Sequence, residues 1–522
     1  MSEVGFMDIR HKDISSSAQP PSPLAVAEAQ RMSAWDALPA ETRRAYGQYF
    51  TPEPLAAFIA SRITLPATSA RPVRVLDPGA GVGSLGVALL QRLVGEMPGT
   101  PLHVTAVEVD GNVLPALENT RTAALAWARA HGVELEFDVV HGDFIEWAAG
   151  NIAGIYQEKQ LFDLVVMNPP YAKIAARGKQ RALTARVACE VGNLYAAFVA
   201  LSVESLREGG RLVAITPRSF TNGPYFRPFR EYLDKKTAFE TVALFESRST
   251  LFADTDVLQE NVIYSLVRSA RRPATVNVSF HGRDGMVEDV AMSYEDFMPS
   301  SDPQRFIHLR NGDEDHETAQ RINTLPCTLA QLGLQASTGR VVDFRSRDHL
   351  RTEPGPDSVP LLYPQHLRNG AVIWPVDGKK PNALAVNSET QKMLVPRGHY
   401  VAIKRFTSKE ERRRVAPTWV PDGRFDDESL AFENKLNVIH ADGAGLDRDL
   451  AVGITLYLAC TTLDTYFRQF SGHTQVNATD LRSLRYPDAK TLRYLGQQTS
   501  SPSELDQDGI DALIEGALWG KQ

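Results

Sequence analysis

Between residues 73 and 268 short apolar runs rich in valine, leucine and isoleucine alternate with helical stretches. The runs are VRVLD (73–77), HVTAVEVD (103–110), FDVVHGD (137–143), LFDLVVMN (161–168), RLVAITP (211–217), TVALFES (241–247) and NVIYSLVR (261–268). A strand covered by helices on both faces loses the in–out alternation of an exposed sheet and becomes almost continuously apolar. Segments such as SLGVALLQRLVGEM and NVLPALENTRTAALAWARAHG lie between the runs at helical spacing. This alternation predicts a doubly wound α/β domain over residues 41–270.

The rest of the chain has a different texture. Residues 1–40, with SSSAQPPSP, predict a loosely ordered leader ending in a short helical stretch. Residues 271–330 predict a connector, and from 331 to 522 no βαβ alternation remains. That half predicts a separate domain with short strands and one clear helix, LAVGITLYLACTTLDTYFRQF. The 522 residues are 43% hydrophobic and 23% charged, which excludes a disordered or fibrous chain. The net charge of −7 gives no basic field over the whole molecule, although a cleft on an acidic protein is sometimes locally basic. Cys189, Cys327 and Cys460 form no CxxC pair, so neither a disulfide framework nor a zinc site is expected, and a cytoplasmic setting follows. No apolar run approaches the ~20 residues that span a bilayer, and the start lacks a signal-peptide core.

Four motifs carry chemistry. VLDPGAGVGSLG (75–86) leaves a strand, turns through Gly79, Gly81 and Gly83, and enters a helix whose first N–H groups are free. Asp77 ends the strand, a placement that suits S-adenosylmethionine with its positive sulfonium and amino-acid part. Glu108, ending the second strand, is placed to hold a ribose diol, with Asp110 facing solvent or capping the next helix. Asp143 is placed to accept from an adenine amine and Phe144 to cover the ring; the plain alternative is that Asp143 only caps a helix. Last comes Asn168-Pro169-Pro170-Tyr171 at the carboxyl end of the fourth strand, the edge where open α/β sheets place their sites. Two prolines fix φ and remove N–H groups, leaving carbonyls to face outward. An exocyclic amine is a poor nucleophile because its lone pair is delocalised. The Asn168 side-chain oxygen and the Pro169 carbonyl would hold its two hydrogens, and Tyr171 would stack on the base.

On these motifs the chain resembles the γ-type N6-adenine DNA methyltransferases, the Eco57I/TaqI-like type II modification methylases. The resemblance covers residues 41–270 by motif and the remainder by position only. It implies a Rossmann-like, S-adenosylmethionine-dependent fold with a seven-stranded mixed sheet and a C-terminal α+β target-recognition domain. It further implies methyl transfer to N6 of an adenine extruded from double-stranded DNA, with no metal. In a restriction–modification system, a separate cognate endonuclease would be the partner. Within GQYFTP (47–52), Thr51 and Pro52 fall where the family contacts the cofactor. The family also stacks an aromatic residue on the extruded base. ITPRSFTNGPYFRPFREYL offers Phe220, Tyr225 and Phe226, and the spacing to REYL favours Phe226. A protein-glutamine or RNA N-methyltransferase shares NPPY but leaves the second half unexplained.

Two segments of that half have nucleic-acid chemistry. IKRFTSKEERRR (403–414) holds Lys404, Arg405, Arg412, Arg413 and Arg414, the composition of a phosphate contact. RQFSGHTQVNATDLRSLRYP (468–487) brings Arg468, His473, Gln475, Asn477 and Arg482, types that read base edges.

Overall fold

The computed structural model describes residues 20–37, 50–67, 71–154, 160–245, 261–282, 286–309, 312–407, 411–471 and 475–520. They pack as two compact units: residues up to 188 with 193–215 and 263–269, and residues 189–192, 216–262 and 270 onward.

In the first unit five parallel strands follow the predicted runs: β1 (Val73–Pro78), β2 (Leu102–Glu108), β3 (Leu135–His141), β4 (Phe162–Met167) and β5 (Leu206–Pro217). Their apolar continuity reflects burial; β4 is buried at all six positions. The chain winds outward from β1 through β2 to β3, then returns to pair β4 against the other side of β1, with Val75 opposite both Val104 and Leu164. At such a reversal the loops leaving β1 and β4 diverge and open a crevice at the carboxyl edge.

Helices α1 (Pro23–Ala37), α2 (Glu53–Ser61), α3 (Ser84–Glu96), α4 (Leu114–Ala130), α5 (Phe144–Ile152), α6 (Lys179–Val187) and α7 (Leu194–Ser205) complete this unit. α7 is buried from Tyr195 to Ser205, as expected of a helix apolar on every side, and runs straight into β5. α1 is no loose leader. Glu28 Oε2 accepts from the Glu53 amide at 3.0 Å, Gln91 Nε2 donates to Ser22 Oγ at 2.9 Å, and Ala27 is fully buried. The domain therefore begins before residue 41, and residues 1–19 lie outside the described ones.

The strand order across the whole sheet is β3-β2-β1-β4-β5-β7-β6-β8-β9, with β6 (Thr237–Phe245), β7 (Asn261–Arg268), β8 (Thr275–His281) and β9 (Val287–Ser293). The sheet is mixed, with nine strands among the described residues rather than seven. The additional pair, β8 and β9, comes from the stretch expected to be a connector. In β8 apolar residues alternate, with Val276 and Val278 inward, and β9 is an exposed edge, so neither makes a continuous apolar run. The helix Gly312–Asn323 also places Ala319 and Ile322 in the second unit's core.

From residue 331 the chain is α+β. An antiparallel sheet orders Gln335–Thr338, Leu436–His440, Tyr400–Lys404 and Pro417–Val420, and helices from Arg448 onward enclose a core around Tyr457, Phe467 and Tyr486. The single helix predicted here is two, Arg448–Ala459 and Thr461–Phe470, bent by 61°. Cys460 is extended between them, and its Sγ accepts from the Leu463 amide at 3.4 Å, so it caps the second helix. Among the described residues no single helix is long and apolar enough to cross a membrane.

Candidate active site

The crevice predicted by topology is a solvent-open cleft of about 640 Å³ in the first unit. One wall is the turn after β1. Gly79, Gly81 and Gly83 have φ of 70°, 56° and 88°, a region costly for residues with a Cβ. Space is equally restrictive: a Cβ on Gly79 would lie 3.3 Å from the Phe198 ring, and one on Gly81 3.2 Å from Phe50. The Gly79 amide donates to Val107 O at 2.8 Å, which ties the turn to β2. Glu108 then closes it, accepting from Gly81 at 2.8 Å, Val109 at 2.9 Å and Asp110 at 2.8 Å. Burial pushes the Glu108 carboxyl up, against the pull of those three amides.

Of the residues expected to meet the cofactor, Thr51, Gly79, Gly81 and Glu108 line the cleft. Asp77 does not. It is 1% exposed behind the turn, and its Oδ2 accepts from the Gly86 amide at 2.9 Å, bracing the start of α3. Burial pushes its carboxyl up to about 7. Pro52 stands at the start of α2, outside the lining. Asp143 caps the start of α5 and lies outside the lining: Oδ1 accepts from the amides of Ile145 at 2.7 Å and Glu146 at 3.2 Å, and Oδ2 from Gln180 at 2.7 Å. Phe144 is buried against Phe198, 4.8 Å between centroids, and it is Phe198 that reaches the cleft. Asp110 is buried rather than solvent-facing and accepts from the Asn112 amide at 2.9 Å. Phe50, Ser84 and Phe198 are lining residues missed from sequence. Phe50 follows directly on the GQY that lies outside the described residues, and Phe198 is one apolar position among many in α7.

The opposite wall is NPPY. Asn168 leaves the end of β4 half-buried, and its amide is gripped from two sides. Nδ2 donates to Thr51 Oγ1 at 3.1 Å, while Oδ1 accepts from the Tyr171 hydroxyl at 3.1 Å. That hydroxyl also lies 3.4 Å from Ile215 O, and the Tyr171 ring meets Tyr195 edge-on at 6.3 Å. Asn168 and Pro170 line the cleft; Pro169 is buried beneath them. An amide with a fixed plane thus stands across the cleft from a carboxylate and a glycine turn.

In the second unit the three candidate rings separate. Phe220 is 1% exposed and packed on Phe229, which removes it from base stacking. Tyr225 is 87% exposed and Phe226 half-buried.

The basic segments also sort themselves by packing. Arg414 is fully buried and is no phosphate contact: its Nη2 donates to Ser471 Oγ at 2.9 Å, Nη1 donates to Thr407 O, and its amide donates to Asp464 at 2.7 Å. Arg413 is half-buried and donates to Gln507 and Thr461. Arg468 pairs with Asp464 at 2.8 Å. Asn477 caps the helix Ala478–Ser483 in a reciprocal box with Asp480, so its amide is engaged locally. Arg412 and Arg482 are exposed and Lys404 is half-buried. Arg405 and Gln475, expected in separate clusters, are brought together by a β-bridge between Phe406 and Gln475, with Arg405 Nη2 3.4 Å from Gln475 Oε1. His473 lies outside the described residues.

Residues 118–252 match the family model of the Eco57I restriction-modification methylases. The chain is 40% identical over 452 residues to the type II methyltransferase M.PstI of Providencia stuartii, covering 85% of this chain and 88% of that one. It is 39% identical over 479 residues to M.BsuBI of Bacillus subtilis, covering 90% and 94%. Among solved structures, the DrdV–DNA complex shares the fold with a TM-score of 0.51 at 12% identity, over 91% of this chain and 59% of that one.

Proposed function

Because this chain belongs to the type II restriction–modification methyltransferases, we propose that it methylates N6 of an adenine extruded from a specific double-stranded DNA sequence. S-adenosylmethionine would be the donor, and a separate endonuclease of the same specificity would be the partner in restriction. The observation that carries this reading is the Asn168 amide, held by Thr51 and Tyr171 on the rim of the glycine-turn cleft.

The residues present fit S-adenosylmethionine. Gly79 and Gly81 leave room that a Cβ would take, and Glu108 offers a carboxylate at the lining. Ser84 Oγ, at the first turn of α3, is buried without a hydrogen-bond partner among the described residues, as a ligand-facing donor would be. Bound there, the cofactor supplies an electrophilic methyl group on a sulfonium. Thr51, Gly79, Gly81, Ser84 and Glu108 would bind it; Asp77 and Asp143 would hold the surrounding turns, with Pro52 and Phe144 as support.

The chain's own task is to make a planar amine nucleophilic. Asn168 Oδ1 and the Pro169 carbonyl would accept its two hydrogens, drawing the nitrogen out of conjugation. Pro169 and Pro170 carry no N–H, so the turn offers acceptors without competing donors. Extruding the base costs a few kcal/mol. Stacking on Tyr171 and Phe226, at about 1–3 kcal/mol per base, would offset much of it. Arg405 and Gln475, now adjacent, are the pair we assign to base edges; Arg412, Lys404 and Arg482 are left for phosphates.

Nucleoside analysis of a methylated duplex tests the reading, with N6-methyladenine as the expected product. Asn168→Ala should lower kcat on the order of 10²–10³-fold, the scale for losing one positioned hydrogen-bonding group, with little change in cofactor affinity. A methylated cytosine as the product, or near-native turnover by Asn168→Ala, would overturn it.

A further inference from the structure

Arg230, on α8 (Arg227–Lys236), has no exposed surface. A guanidinium has five N–H donors and no acceptor, so it persists in an interior only where oxygens converge on it. Three carbonyls do. Nη1 donates to Phe220 O at 2.9 Å and to Gly223 O at 2.8 Å, and Nε donates to Gln304 O at 2.9 Å. The group also lies over the Phe306 ring, 5.0 Å from its centroid.

The loop that Arg230 grips is unusual in being buried and irregular at once. Phe220, Thr221, Asn222 and Gly223 are all buried, with only the turn Arg218–Thr221 as regular structure. Gly223 O also accepts from the Phe226 amide at 3.0 Å, so the carbonyl that Arg230 holds is tied directly to the backbone of the ring residue. The loop is also closed on the ring that follows it. A Cβ on Gly223 would lie 2.6 Å from Ser219 O and 2.9 Å from the Phe226 ring.

Asp302, Asp480 and Glu231 bring acidic groups to its surroundings, and burial pushes the Asp480 carboxyl up to about 7. Asp480 Oδ1 and Arg230 Nη2 are both buried without hydrogen-bond partners among the described residues. The other oxygen, Asp480 Oδ2, accepts from the Asn477 amide at 2.8 Å, in the segment that carries Gln475. The electrostatic balance of Arg230 therefore includes a residue of the recognition segment.

We infer that Arg230 is a positioning residue for base capture, fixing the 220–226 loop so that the Phe226 ring is set before DNA arrives, with Asp480 as a buried acidic neighbour. This role rests on the proposed stacking of that ring on the extruded adenine. It predicts that losing Arg230 acts through Phe226 and leaves the cofactor cleft alone.

Duplexes with 2-aminopurine at the target adenine report stacking of the extruded base as quenched fluorescence. Arg230→Lys keeps the charge but cannot reach three carbonyls at once. It should brighten the probe and lower kcat at least tenfold, with cofactor affinity unchanged. Phe226→Ala should do the same, and the double variant should be no worse than Phe226→Ala alone. Asp480→Asn, of equal volume, should shift both readouts in the same direction by less, and decides the matter if Arg230→Lys does not fold. Additive losses in the double variant, or a wild-type signal from Asp480→Asn and Arg230→Lys, would overturn the inference while base stacking stands. Native turnover and quenching in Phe226→Ala would overturn the stacking reading and this role with it.

Discussion

The turn of residues 77–86 is shaped by its own backbone, whereas residues 404–414 and 468–485 offer their nucleic-acid chemistry through long side chains. Backbone surfaces are set locally. Three residues at positive φ, pinned to Val107 O and Glu108, leave the turn few other shapes. Side-chain surfaces depend on which way the chain packs. Arg412 and Arg414 are two residues apart, yet one is exposed and the other's guanidinium donates to Thr407 O and Ser471 Oγ inside. A run of arginines therefore names a chemistry without saying where it points, while a run of glycines names a shape.

The sharpest way to break this contrast is to neutralise the two arginines separately. Arg414→Met should destabilise the protein by about 1–3 kcal/mol for each buried acceptor it leaves unsatisfied, Thr407 O and Ser471 Oγ, seen in denaturant melts. Arg412→Ala should leave stability within about 0.5 kcal/mol and lower the salt slope of DNA binding by about one. Equal behaviour of the two would erase the distinction.

Asp77 offers a second comparison, within the glycine turn itself. Its native carboxyl is pushed up to about 7 from 3.8 by burial. Between those values the unfolded chain has lost a proton that the native state keeps, so stability falls as pH rises from about 4 to about 7 and levels off above. Relative to Asp77→Asn, which still accepts from Gly86, the wild type should lose up to about 1.4 kcal/mol per pH unit across that window. Parallel pH–stability curves would show that the carboxyl titrates normally.

Gly81→Ala adds a Cβ at positive φ close to Phe50, a strain of about 1–2 kcal/mol. Calorimetry should find weaker cofactor binding with DNA affinity retained. The smallest effects should separate Gln475 from Asn477. Gln475→Ala should relax discrimination at one base pair by about 1–3 kcal/mol, measured on single-mismatch duplexes. Asn477→Ala should cost about 1 kcal/mol of stability, as a lost helix cap, and leave discrimination unchanged. Loss of discrimination in Asn477→Ala alone would reverse these assignments.

The sequence by itself determined the seven strand runs, the glycine turn and NPPY at the carboxyl edge, because each depends on contacts within a few residues. Apolar continuity follows from burial on two faces, positive φ from the missing Cβ, and a donor-free turn from two prolines. Strands β8 and β9 were invisible for the converse reason, since β8 is apolar only at alternate positions and β9, an exposed edge, needs no apolar run. Only the tertiary structure decided what each polar side chain serves. Asp77 and Asp143 were legible as carboxylates at strand ends. Whether such a group faces a ligand or caps a helix depends on Gly86 and Gln180, which reach it from other elements. Likewise no local pattern joins Arg405 to Gln475 or turns Arg230 onto Phe220 and Gly223, because those partners meet only when distant strands and loops have packed.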